Sequence, residues 1–94
     1  MERWMREIFR QNQFKKDVKK IKKSGRCRLR DLFEVVEVLA KDRQLQPKNC
    51  DHSLTGDWKD FRECHILPDW LLIYRLEPGK LILVRTGSHS ELFG

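Results

Sequence analysis

Ninety-four residues make one modest hydrophobic core, spanning 1–94 as a single domain with no room for a second. Hydrophobic residues at 39% and charged residues at 36% fit a compact fold with a heavily solvated surface, and no window approaches the run of eighteen or more apolar residues needed to span a bilayer. The net charge of +6 is uneven: residues 1–30 hold twelve Lys/Arg against three acids, and residues 31–94 hold eight against eleven. The opening "MERWMREIFRQ" lacks the apolar stretch of a signal peptide, so the expected location is the cytoplasm, with no membrane role. Cys27, Cys50 and Cys64 are odd in number and irregularly spaced, which predicts reduced thiols rather than a disulfide framework.

In chain order, "REIFR" suits a short strand. "FKKDVKKIKKSGR" comes next, with Phe14, Val18 and Ile21 at i, i+4 and i+7, the stripe of an amphipathic helix whose other positions carry six lysines. Those lysines are either a solvated face or an electrostatic footprint for phosphate or an acidic partner. Ser24 and Gly25 end this helix, and "RLRDLFEVVEVLAKD" forms a second, with Leu29, Leu32, Phe33, Val36, Leu39 and Ala40 at helical spacing. Pro47 closes the helical half. "PKNCDHSLTGDWKD" reads as a loop with a turn at Thr55-Gly56-Asp57, and Trp58 anchors the loop after Gly56. Three strands then appear in "FRECHI", "WLLIYRL" and "KLILVRT", separated by Pro68-Asp69 and Glu77-Pro78-Gly79, both short enough for antiparallel hairpins. The predicted fold class is α+β: an N-terminal helical hairpin packed on a curved antiparallel sheet.

The chemistry-bearing residues cluster at strand ends. His52, His65 and His89 all fall in the C-terminal half; alternation puts Phe61, Glu63 and His65 on one side of their strand, and Leu81, Leu83 and Arg85 on one side of theirs. Imidazoles can accept one proton and donate another near neutrality, and arginine offers a permanent charge with a planar fork for phosphate. That set suits RNA cleavage by 2′-OH attack on phosphorus, with a base, an acid and a cation for the extra negative charge. It also suits nothing more than surface histidines, since sequence alone does not bring the three together. A metal site built from Cys50, His52, Cys64 and His65 is the chemical rival, but its spacing departs from the usual zinc pairs, and adjacent strand residues face opposite ways.

Residues 51–94, "DHSLTGDWKDFRECHILPDWLLIYRLEPGKLILVRTGSHSELFG", strongly resemble the YafQ branch of the RelE/ParE toxin superfamily, the toxin half of type II toxin–antitoxin pairs. The marks are "DHSLTGDWKDFRECHI", "PDWLLIY" and "RTGSHSELFG" in that order, while "FKKDVKK" and the second helix fit more loosely. The resemblance implies an endoribonuclease that enters the ribosomal A site and cuts translated mRNA by acid–base chemistry, with no cofactor and no metal. Its implied partners are the ribosome with its mRNA, a small acidic cognate antitoxin, and operator DNA through the antitoxin complex.

Carried over by position, the family's active-site residues fall on His52, His65, Asp69, Arg85 and His89, with aromatics at Trp70 and Phe93. The implied roles are His89 as general acid, Arg85 on the scissile phosphate, Asp69 and His65 as base and orienting group, His52 as auxiliary, and Phe93 against a nucleobase. Trp70 begins an apolar strand and suits core packing as well as substrate contact. Lys15, Lys19 and Lys22 lie off the apolar stripe and are the expected ribosome-binding lysines. The competing readings are a gyrase-poison type toxin without nuclease chemistry and a module that only binds nucleic acid or antitoxin.

Overall fold

The computed structural model describes residues 5–25 and 27–94; Arg3 and Arg26, counted in the basic third, lie outside the described residues. Strand β1 (Glu7–Arg10) leads into helices α1 (Asn12–Ser24) and α2 (Leu29–Ala40). Two residues form β2 (His52–Ser53), then come β3 (Arg62–Leu67), β4 (Trp70–Glu77), β5 (Lys80–Gly87) and a short helix α3 (His89–Phe93). The described helices include none long and apolar enough to cross a membrane.

The helical hairpin forms where the apolar spacing places it. Phe14 and Ile21 of α1 are buried and Val18 packs beside them, and α1 stops at Gly25, whose φ of 68° is the left-handed cap that glycine adopts without a Cβ clash. On α2 the buried face is Leu32, Val35, Val36, Leu39 and Ala40. Phe33 is a correction: at 60% exposed it lies outside the core, because one helical step from Leu32 carries it about 100° away while Val35 turns inward.

The sheet has the order β1-β5-β4-β3-β2. Its β2–β5 portion is antiparallel, as expected from the two short turns, but β1 runs parallel to β5 with Glu7 opposite Lys80 and Arg10 opposite Leu83. A parallel neighbour needs a long crossover, and the two helices between β1 and the later strands provide it. One sheet face, with Trp70, Leu72, Tyr74, Leu81 and Leu83, packs under the helices. The other carries Leu71, Ile73 and Val84, covered by Leu92 of α3 and by Leu54, Trp58 and Phe61 from the loop before β3. The Trp58 ring meets Phe61 edge-on at 5.4 Å, closing that loop onto the sheet as its aromatic content predicts.

A bulge in β5 changes which residues share a face. Tyr74 lies opposite Leu83 and Ile73 opposite Arg85, so Val84 is the extra residue. Strict alternation puts Arg85 with Leu81 and Leu83; the bulge instead sets it across from Ile73, on a stretch of β5 beyond the reach of β1.

Candidate active site

The cross-strand register assembles the site. His52 of β2 lies opposite Glu63 of β3, Glu63 opposite Ile73 of β4, and Ile73 opposite Arg85 of β5, giving one row across the face away from the helices. At about 4.8 Å per strand the row holds the backbones of Glu63 and Arg85 roughly 10 Å apart across the sheet. In the next row His65 pairs with Leu71 and Leu71 with Gly87, two residues before His89.

Three imidazoles converge on one buried carboxylate. Glu63, 5% exposed, places Oε2 3.8 Å from His52 Nε2 and Oε1 3.6 Å from His65 Nε2 and 4.0 Å from His89 Nε2. The His65 and His89 rings meet edge-to-face with centroids 5.7 Å apart. The partners of the other ring nitrogens decide which nitrogen works. His52 Nδ1 lies 2.6 Å from the Cys50 carbonyl oxygen, which only accepts, so Nδ1 donates and Nε2 is the nitrogen turned toward Glu63. His89 Nδ1 lies 3.1 Å from Asp69 Oδ1, which also accepts the His89 backbone N–H at 3.2 Å. Hydrogen bonds from His89 hold the Asp69 carboxyl below its usual range, so it is an ionised acceptor and His89 Nε2 is again the free atom.

The segment carrying His52 is pinned from below. Asp51 takes a hydrogen bond from the Tyr74 hydroxyl and an ion pair from Arg62 at 3.2 Å, and Arg62 Nη1 also donates to Ser53 Oγ at 2.9 Å. His89 opens α3, which is held by a capping box: Ser88 Oγ accepts from Glu91 N at 3.2 Å, and Glu91 Oε1 accepts from Ser88 N at 2.9 Å. Glu91 also pairs with Lys20 of α1 at 3.1 Å, and Leu92 buries itself against the sheet.

The other residues marked from sequence separate. Arg85 pairs side-on with Asp17 of α1, Nε at 2.8 Å and Nη2 at 3.2 Å, which raises the guanidinium pKa further. Phe93 is 43% exposed, its ring edge-on to Trp58 at 6.0 Å. Trp70, for which the sequence suited both core packing and substrate contact, takes the core position: it is 3% exposed on the helix-covered face and donates from Nε1 to Thr86 Oγ1 at 2.8 Å. Lys15, Lys19 and Lys22 are all exposed on one flank of α1, whereas Lys16 and Lys20 border the cleft with Asp17, Arg85 and Glu91. Sequence reasoning placed Glu63 on the right face without giving it a role, and it missed Asp17.

The metal rival built on cysteine does not assemble. Cys64 is fully buried on the helix side, with its thiol pushed up to about 12 mainly by desolvation, while Cys50 is exposed. Glu63, His65 and His89 instead present ligand atoms all within 4.8 Å of one another, a mixed oxygen and imidazole set suited to a first-row divalent ion.

The chain matches known proteins over nearly its whole length. Residues 6–94 match the family model described as bacterial toxin of type II toxin–antitoxin system, YafQ. The chain belongs to the YafQ toxin family. It is 36% identical over 89 residues to the mRNA interferase toxin YafQ of Escherichia coli K12, covering 95% of this chain and 97% of that one. YafQ in a crystal structure of the E. coli DinJ–YafQ toxin–antitoxin complex superposes with a TM-score of 0.87 at 37% identity, covering 96% and 99% of the two chains. A copper-bound mutant toxin from Helicobacter pylori superposes with a TM-score of 0.90 at 45% identity, covering 95% and 100%. The α+β architecture is thus that of YafQ toxins, and the resemblance noted over residues 51–94 extends through the helical half.

Proposed function

We propose that this YafQ-family toxin is an mRNA interferase that cleaves ribosome-bound message by acid–base chemistry on the β3/α3 face. The observation that carries the reading is the convergence of three imidazole Nε2 atoms on Glu63, with His89 oriented by Asp69. His89 protonates the departing 5′-oxygen. His65 takes the 2′-OH proton, the 2′-oxygen forms a bond to phosphorus as the bond to the 5′-oxygen breaks, and Arg85 stabilises the phosphorane charge. Asp69 is the orienting group: a carboxylate this acidic and already engaged by His89 is a weak base. Glu63 is the common carboxylate around which the histidines gather, His52 supports it from β2, and exposed Phe93 meets a base.

The E. coli relative's name supports the activity, and the DinJ–YafQ complex supports a cognate antitoxin as partner. The basic α1 suits an acidic antitoxin segment and rRNA phosphate, and the place of action is the cytoplasm. A metal ion, as in the copper-bound H. pylori relative, would be held here by Glu63, His65 and His89, competing with protons for the ring nitrogens.

The test is His89→Gln, similar in size but unable to act as the acid. Single-turnover cleavage on a programmed ribosome should fall roughly a hundredfold to ten-thousandfold with ribosome affinity nearly unchanged, and parent products should end in a 2′,3′-cyclic phosphate. Normal cleavage by the variant, or 3′-hydroxyl ends, defeats the mechanism; undiminished toxicity would favour a gyrase-poison or binding-only toxin.

A further inference from the structure

Asp17 is the only acid on α1, and it sits inside the apolar stripe between Phe14 and Ile21, 8% exposed. Burying a carboxylate is costly unless donors replace its water. Four donors do so. Arg85 Nε at 2.8 Å and the Thr86 backbone N–H at 3.1 Å reach Oδ2, while Arg85 Nη2 and Gln13 Nε2, both at 3.2 Å, reach Oδ1. Three of these come from consecutive residues of β5, at the bulge that turns Arg85 toward the row of Glu63. Thr86 is fixed in turn, donating from Oγ1 to the Leu71 carbonyl at 2.7 Å and accepting from Trp70. The guanidinium is gripped along its Nε/Nη2 edge, and Nη1 has no partner among the described residues.

A leucine would fill this stripe position well, and buried ion pairs are often replaced by apolar groups at no loss of stability. Packing alone therefore gives no reason for a carboxylate here. We propose that Asp17 is a positioning residue for Arg85, holding one edge of the guanidinium so that the opposite edge is presented to the scissile phosphate. The inference rests on the reading of Arg85 as the phosphate-binding group.

The experiment is a double-mutant cycle in single-turnover cleavage on programmed ribosomes, with ribosome affinity and urea midpoint measured for every variant. Asp17→Asn, which keeps the shape and loses the charge, should slow cleavage on the order of a hundredfold with affinity little changed, and Asp17→Glu should recover part of the loss. In an Arg85→Ala background the same Asp17→Asn change should alter the rate by less than about twofold, since the group it serves is absent. Because Arg85→Ala leaves Asp17 buried without its main partner, Asp17→Leu/Arg85→Ala provides a second version of that background, expected to fold stably and to match Arg85→Ala in rate. Equal losses in both backgrounds, or a parent-like rate for Asp17→Asn, overturn the proposal while leaving Arg85 in its role. A parent-like rate for Arg85→Ala overturns the phosphate-binding reading and this inference with it.

Discussion

Replacing Lys15, Lys19 and Lys22 together by Gln removes three charges from one flank of α1 without touching the buried stripe of Phe14, Asp17 and Ile21. None of the three lysines has an ion-pair partner among the described residues, so each is free to meet a phosphate. A phosphate contact contributes about 0.7–0.9 to the slope of log affinity against log salt, so losing three should flatten that slope by roughly 2–3. Over a fourfold rise in salt the parent should lose roughly twentyfold to fortyfold more ribosome affinity than the variant. Folding stability should change by less than about 0.5 kcal/mol, as for surface substitutions generally. The assay is ribosome binding titrated between about 50 and 200 mM salt, the range over which such contacts are diagnostic. An unchanged slope would mean that this flank is a solvated face and that RNA contact lies elsewhere, with Lys16 and Lys20 beside Arg85 the next candidates.

Trp70→Phe tests the burial of the indole: losing the bond to Thr86 and some ring volume should cost about 1–3 kcal/mol in urea unfolding. A slowed rate at unchanged stability would return Trp70 to the substrate. The cap on α3 has a pH signature. Ser88 and Lys20 depress the Glu91 carboxyl to about 2, so its contribution to stability is present above the ordinary glutamate pKa of about 4.3 and is lost as pH falls toward 2. The stability difference between the parent and Glu91→Gln, below about 1 kcal/mol given solvent screening, should therefore be flat above pH ~5 and shrink on acidification. A difference that grows below pH ~4 would contradict the assignment.

The elements that carry their own periodicity were legible in the sequence. α1, α2, β4 and β5 fall where apolar spacing and the Pro-Asp and Pro-Gly turns put them, because a two- or three-residue turn between apolar runs leaves few other pairings. What escaped reading depends on register or on single side chains. The Val84 bulge reverses the face of Arg85, and nothing in "KLILVRT" announces it. The helix over His89–Phe93 did have a signal, since Ser88 and Glu91 stand at capping-box spacing, but its five residues show too little periodicity to be read as a helix. Asp17 looked like one more charge in a lysine-rich run, although its place in the stripe beside Phe14, Val18 and Ile21 marked it as buried. Glu63 was visible as a neighbour of His65, yet only the pairing of β2 with β3 shows that His52 shares its carboxylate.

The site is divided between two parts of unequal rigidity. Glu63 and His65 stand on β3, paired with β4 along its length, whereas His89 and Phe93 ride on a single helical turn retained by one cap, one ion pair, the bonds from His89 to Asp69, the edge-on contact of Phe93 with Trp58 and the burial of Leu92. So short a helix has almost no stability of its own. Releasing it is therefore a sub-global opening, which takes His89 away from Glu63 and His65 while the strands that carry those two remain paired. For this toxin, the free energy that governs how often His89 stands beside Glu63 and His65 is smaller than the one that keeps the chain folded.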